Sequence, residues 1–372
     1  MTADSVAAGR QPATDRAHNF SAGPSTLPLP VLEEVAAELV DYRGSGMSLI
    51  EMSHRGAHYD AVHRGAMELA REVFALPDDF DVLFIQGGAT LQFSMVPANL
   101  LTDGAVAGLA RTGSWSKKAL GDAQVYGETY LAWDGAGEQF VRAPAADEFE
   151  VREGTRYVHL CSNETIEGVR FAEFPDLGVP LVSDMSSDIA TRELPWELFD
   201  IVYGGTQKNL GPAGMAVVFV RRSALETMRR DLGAYLRYGT HADKDSLYNT
   251  PPVFSVWATG KVLAWIRDSG GLKAMTAAAE RKSGTVYEAI DGSDGYYRCP
   301  VEPVSRSLTN VVFRLPDPAA EQRFLGEAAE RRFVGLKGHR SVGGCRASLY
   351  NALPQASADA LAEFMADFRR RA

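Results

Sequence analysis

Cysteine is scarce. Cys161, Cys299 and Cys345 are the only three in the chain, far apart, odd in number and without a CxxC pair. A disulfide framework is thereby excluded, and the thiols read as reduced groups in or near the core of a cytoplasmic protein. Long apolar runs are missing: none approaches the ~18 residues that a membrane-spanning helix needs. Positive charge is in deficit. A net charge of −10 argues against nucleic acid as a partner, yet a few local arginines can still meet a phosphorylated substrate. Residues 1–17 lack the apolar stretch of a secretory signal and, being small, polar and mixed in charge, are expected to form a disordered extension. HExxH is absent, and His54, His58 and His63 have no obvious carboxylate co-ligand, so no metal site is expected. There is no internal repeat and no low-complexity linker.

What is present is ordinary in bulk and specific in detail. With 372 residues, 45% hydrophobic and 23% charged, the chain suits two unequal globular domains. Short apolar runs at 82–85, 106–110, 157–161, 179–184, 200–203 and 215–220 read as strands. Helical spacing alternates with them, at 31–40, 60–74, from 91, at 116–122 and at 223–230. Residues 124–126 also read as strand, and 237–250 as polar loop. Polar residues collect where the strands end. This predicts an α/β fold with a doubly wound sheet whose ligand lies outside the strands' carboxyl ends. Helices at 253–267, 272–290, 317–331 and 356–370, with strands near 296–302 and 308–315, predict a smaller α+β unit.

One lysine draws attention. Lys208 lies in Gly204-Gly205-Thr206-Gln207-Lys208-Asn209-Leu210-Gly211-Pro212-Ala213-Gly214, a run of small and apolar residues. Most loop lysines point into water. A lysine buried here would favour its neutral, nucleophilic amine, which can condense with an aldehyde. The strand at 179–184 ends in Asp184, 24 positions earlier. Pyridoxal phosphate requires this pair, an amine for its aldehyde and an acid for its ring nitrogen. Gln86-Gly87-Gly88-Ala89-Thr90 joins a strand to a helix and suits a phosphate, because backbone N–H groups and the helix dipole converge there. Trp115, after the strand at 106–110, offers a flat face for a ring.

Taken with Asn19 to Pro24, Ser53-His54-Arg55-Gly56, Asn163 to Gly168, Asn249-Thr250-Pro251-Pro252 and Gly338 to Ser348, these segments resemble phosphoserine aminotransferases. The matches run in the family's order from about residue 18 to the C-terminus. The resemblance implies a fold-type I, class V enzyme with pyridoxal phosphate. It also implies a large, mainly parallel seven-stranded sheet domain over 27–267 and a small domain built from 18–26 and 268–372. Lys208 would hold the cofactor and shuttle the proton, and Asp184 would pair with the ring nitrogen. Trp115 would stack, Thr165 would bind the phenolic oxygen, and Ala89, Thr90 and Gln207 would hold the phosphate. Asn249 and Thr250 would reach that phosphate from the second subunit of a homodimer. Arg346 would clamp the substrate's α-carboxylate, Ser21 and Arg55 would contact the amino acid, and His54, His339 and Arg340 would recognise its distal group. Some members carry arginine where this chain has Thr90 and others a small or hydroxyl residue, and backbone N–H groups can still hold the phosphate here. The implied reaction exchanges an amino group between L-glutamate and 3-phosphohydroxypyruvate in serine biosynthesis. A phosphorylated hydroxy-oxobutanoate in vitamin B6 synthesis is a second implied substrate.

Three other readings share parts of this pattern. A cysteine-desulfurase-like lyase needs a mobile nucleophilic thiol. An alanine–glyoxylate aminotransferase would have little use for the basic pairs His54-Arg55 and His339-Arg340. A non-catalytic cofactor-binding scaffold would not need the full motif set.

Overall fold

The computed structural model describes residues 16–102 and 104–372. The disordered segment expected at 1–17 lies outside the described residues, apart from Arg16 and Ala17. The chain starts with β1 (His18–Asn19), α1 (Leu29–Glu38) and α2 (Ala57–Val73). It continues through β2 (Phe80–Gln86), α3 (Gly88–Leu100), β3 (Val106–Arg111), α4 (Ser114–Tyr126), β4 (Glu128–Asp134) and β5 (Thr155–Cys161). A short hairpin of two-residue strands, β6 (Asn163–Glu164) with β7 (Val169–Arg170), precedes β8 (Leu181–Asp184), β9 (Phe199–Gly205) and β10 (Met215–Arg221). Seven strands form one sheet in the order β2-β10-β9-β8-β5-β3-β4. β10 is antiparallel to both neighbours, and the other pairings are parallel. The doubly wound sheet expected from the alternation is therefore present, and it is seven-stranded and mainly parallel, as the resemblance implies.

The apolar runs make this sheet because both of its faces are covered. Successive residues point to opposite sides. Val82 and Phe84 of β2, with Val217 and Phe219 of β10, pack on one side. Leu83, Ile85, Val218 and Val220 pack on the other. The first side is covered by α2, through Tyr59, Ala66 and Ala70, and by α7 (Val253–Asp268), through Val256, Val262 and Ile266. The second is covered by Phe93, Met95 and Val96 of α3 and by Ala119 and Ala123 of α4.

Some elements differ from expectation. Residues 124–126 are the last turn of α4, not strand. Ser116, Ala119 and Ala123 keep one buried helical stripe running to that end, and Val125 faces solvent. A three-residue apolar run is too short to outweigh such a stripe. The helix at 223–230 shortens to α5 (Arg222–Glu226), and the 237–250 loop contains α6 (Tyr238–Ala242), which buries Tyr238 and His241. Of the stretch 296–302, only Arg298 makes a bridge, to Arg314.

After α7 come α8 (Gly271–Asp291), β11 (Asn310–Phe313), α9 (Pro318–Glu330), β12 (Phe333–Val334), β13 (Cys345–Ser348) and α10 (Gln355–Arg370). They bury a separate cluster around Phe313, Phe324, Phe364 and Phe368, which also takes in Phe20. β1 runs parallel to β12, so the start of the described chain is tied to this late segment. The two cores share α8: Leu272 and Met275 belong to the first, Val286 and Ile290 to the other.

Phe324 is fully buried and meets Tyr297, Phe313, Phe364 and Phe368 ring to ring. Phe324→Ala is expected to destabilise this cluster by about 3–5 kcal/mol. Denaturant unfolding followed by tyrosine and tryptophan fluorescence would register the loss, and an unchanged midpoint would contradict the packing described.

Candidate active site

Five connections converge at one end of the sheet. β2, β3, β5, β8 and β9 run parallel or are placed so that their carboxyl ends deliver Gly87, Trp115, Thr165, Asp184 and Lys208 respectively. These residues line a cavity of about 400 Å³. Ala89, Thr90, Gln207, His339 and Arg346 line it as well. Placement at strand ends follows from geometry: a side chain there leaves the ladder while its backbone stays anchored in it.

Lys208 and Asp184 are both buried. The Lys208 amine donates to Thr165 Oγ1 at 2.6 Å. Burial pushes that amine's pKa down, and the Asp184 charge opposes the fall. Burial likewise pushes the Asp184 carboxyl up, against Lys208 and the Ser186 hydrogen bonds. Ser186 donates to Asp184 Oδ1 from its N–H at 2.9 Å and its hydroxyl at 2.6 Å. Oδ2 receives no hydrogen bond among the described residues. The lysine backbone is held by the N-terminal arm: Ser25 N–H donates to Gln207 O at 3.1 Å, and Ser25 Oγ donates to Lys208 O at 2.5 Å. Gly23 of that arm lies against the lysine stem, where an added Cβ would stand 3.2 Å from Lys208 Cγ.

Two helices begin at this cavity. α3 starts at Gly88 with Gly87 in the left-handed region (φ +94°), and no side chain among the described residues caps it. Its first N–H groups are therefore open to an anion. The start of α4 is occupied by Glu164, which accepts from the N–H groups of Trp115 and Ser116, each at 2.9 Å. Arg346 reaches in from β13, and its Nη1 donates to Thr165 O at 3.2 Å. Arg346 Nε and Trp115 Nε1 are buried without a hydrogen-bond partner among the described residues.

Ser21, His54, Arg55, Asn249, Thr250 and Arg340 do not line this cavity. Ser21 lies one residue before the lining Ala22 and packs against Gly335. His54 and Arg55 sit in the turn before α2, with Arg55 exposed. Asn249 and Thr250 are exposed, and Thr250 O accepts from Gln86 Nε2 at 2.8 Å. Arg340 is exposed beside His339. Sequence reasoning missed Ser186, two positions after Asp184, and the acids Glu164 and Glu167. Their signal was available: two carboxylates in a segment otherwise fit for burial need donors. No cysteine lines the cavity. Burial pushes all three thiols up, away from the nucleophilic thiolate of a desulfurase.

A buried acid with one free oxygen, a buried amine, an uncapped helix start and an aromatic face fit pyridoxal phosphate. The chain belongs to the aminotransferase class-V family, whose model matches residues 17–361. It is an aminotransferase, and its cofactor is pyridoxal phosphate. It is 47% identical to the phosphoserine aminotransferase of Lysinibacillus sphaericus over 359 residues, covering 96% of this chain and 99% of the relative. Identity to that of Geobacillus kaustophilus is 49% over 356 residues, with 96% and 99% covered. The solved phosphoserine aminotransferase from Bacillus circulans subsp. alkalophilus superposes with a TM-score of 0.94 at 47% identity, covering 96% of this chain and 99% of that one. The pyridoxal-phosphate-bound enzyme from Trichomonas vaginalis gives 0.90 at 38% identity, covering 94% and 100%. Within class V, the chain thus falls among the phosphoserine aminotransferases.

The lowered amine of Lys208 has a consequence for cofactor-free protein. Between its folded value and the ordinary 10.5, the unfolded chain binds a proton that the folded chain does not. Stability should therefore rise with pH through that window, and the burial cost is felt in full below it. Lys208→Met should lack this increment. Parallel midpoint-versus-pH curves for the two chains, from about pH 7 to about pH 10, would contradict the buried amine.

Proposed function

We propose that this enzyme transfers the amino group of L-glutamate to 3-phosphohydroxypyruvate, giving O-phospho-L-serine and 2-oxoglutarate, a step of L-serine biosynthesis. The same site would serve 3-hydroxy-2-oxo-4-phosphooxybutanoate in pyridoxine synthesis. The observation that carries the reading is the Lys208 amine, buried 2.6 Å from Thr165 Oγ1 in a cavity that also holds Asp184, His339 and Arg346. The high identity to phosphoserine aminotransferases supports the substrate choice.

When bound, pyridoxal phosphate supplies a ring that accepts the electron pair of an α-carbanion. Lys208 holds the group through its amine, and once released takes the substrate's α-proton and returns it to the carbon that reprotonates. A lowered amine pKa suits that role, because the base must be neutral to accept the proton. Asp184 keeps a proton on the ring nitrogen. Thr165 serves the phenolic oxygen, and Trp115 gives the ring its flat neighbour. Ala89, Thr90 and Gln207 hold the phosphate at the start of α3. Arg346 clamps the α-carboxylate by a two-pronged, charge-assisted contact.

His339 and Arg340, with His54 and Arg55, recognise the distal carboxylate or phosphate, and Ser21 contacts the amino acid. Asn249 and Thr250 serve the neighbouring site in a homodimer. Their exposure and their position outside this chain's own cavity support that assignment. The late core around Phe324, with the arm at 18–26, acts as the smaller domain.

Lys208→Ala should abolish turnover while pyridoxal phosphate still binds non-covalently. To test the substrate, the bound cofactor is converted with L-glutamate and its absorbance followed as an oxo acid is added. Recovery with 3-phosphohydroxypyruvate and not with hydroxypyruvate is expected. Equal recovery with both would remove the phosphate recognition, and near-normal turnover by Lys208→Ala would overturn the site.

A further inference from the structure

The hexapeptide Asn163 to Gly168 carries more than Thr165. Glu164 and Glu167 are both buried and turn back onto the start of α4. Glu164 Oε2 accepts from Trp115 N–H at 2.9 Å, while its Oε1 accepts from Ser116 N–H at 2.9 Å and from Ser116 Oγ at 2.6 Å. Glu167 Oε1 accepts from Ser114 N–H at 3.1 Å and from Ser114 Oγ at 2.6 Å. Between the two acids, Thr165 holds the Lys208 amine with its hydroxyl and Arg346 with its carbonyl. The packing leaves no slack. A Cβ at Gly113 would stand 2.6 Å from both Glu164 Cδ and Glu167 Oε2.

Helix capping alone does not require this. The Ser116 hydroxyl accepts from Thr112 N–H at 2.9 Å and Gly113 N–H at 3.0 Å, just ahead of α4, and leaves the N–H groups of Ser114, Trp115 and Ser116 to other acceptors. An acid at the helix start would supply the rest at far lower desolvation cost. The chain instead buries two carboxylates brought from about fifty positions away. Burial pushes the carboxyls of both up. What the arrangement adds is a rigid tie between the residue after the helix start, Trp115, and the residue between the acids, Thr165.

We infer that Glu164, assisted by Glu167, is a positioning residue that sets the Trp115 ring and the Thr165 hydroxyl relative to one another around the bound cofactor. The inference rests on the proposed roles of Trp115 and Thr165. Glu164→Gln keeps the shape but turns an amide donor toward N–H groups that need an acceptor. One edge of the tie is then lost, and Trp115 shifts relative to Lys208.

The test uses the full chain loaded with pyridoxal phosphate. The reference variant is Asp317→Ala, which removes the cap that accepts from Ala320 N–H at 2.8 Å at the start of α9, far from these residues in sequence. Glu164→Gln is expected to alter the visible circular dichroism of the bound ring, weaken cofactor binding about tenfold and lower kcat on the order of tenfold to a hundredfold, as small misplacements do. Asp317→Ala should lose thermal stability with none of these changes. If Glu164→Gln loses stability in the same way, with dichroism, cofactor affinity and kcat intact, the acid is a helix cap and the inference falls. Should Glu164→Gln fail to fold, Glu167→Gln carries the same comparison, with a smaller shift in the same direction expected and no shift counting against the inference. Wild-type chain that exchanges no amino group with glutamate would fail the proposed site itself. Wild-type exchange with silent glutamate-to-glutamine variants would fail only the positioning role.

Discussion

Everything at this site depends on keeping an amine out of water without losing it. An isolated ammonium in an apolar interior is too costly to persist. Lys208 meets that constraint with a hydroxyl at 2.6 Å and a buried carboxylate in the same cavity. Desolvation pulls the amine toward neutrality, and Asp184 pulls it back toward charge. The opposition leaves an amine that gives up its proton more readily than an exposed lysine does, by an amount the Asp184 charge limits. Asp184 is subject to the mirror-image conflict, and its Ser186 hydrogen bonds oppose the rise that burial imposes.

Holding such a pair requires rigid backbone on every side. The sheet supplies it from below, since Asp184 closes β8 and is in register with Tyr203 of β9, five residues before the lysine. The N-terminal arm supplies it from the side through Ser25. The late segment closes the frame, with Tyr350 donating to Ala22 O at 2.8 Å and Asn351 N–H donating to Asn209 Oδ1 at 3.0 Å. Residues from both ends of the chain thus meet over one lysine. Each of these contacts limits how far Lys208 and Asp184 can move relative to one another, the precision that their proposed roles require.

Much of the fold was legible because both faces of the sheet are buried. Buried strands read as short continuous apolar runs, and 82–85, 157–161 and 215–220 are such runs. Misreadings fell where the local signal was weakest. Gln124-Val125-Tyr126 has strand-like residues but belongs to a helix fixed by Ala119 and Ala123, whose partners lie elsewhere in the chain. In the site, Lys208, Asp184 and the glycine turn were legible because each combines an unusual residue with a strand end. Glu164 and Glu167 were visible in the motif, but their task was not, because their donors lie about fifty positions earlier.

The sequence by itself determined the alternation of strand and helix, the acid and lysine at strand ends, and the family to which the motifs point. These are local or ordered along the chain, and local chemistry suffices to read them. Only the tertiary structure decided which groups share one cavity, that Ser186 and Thr165 hold the acid and the amine, and that one helix start stays open while the next is taken. Those outcomes depend on distances across the fold, and spacing along a chain does not encode such distances until the sheet has brought its strand ends together.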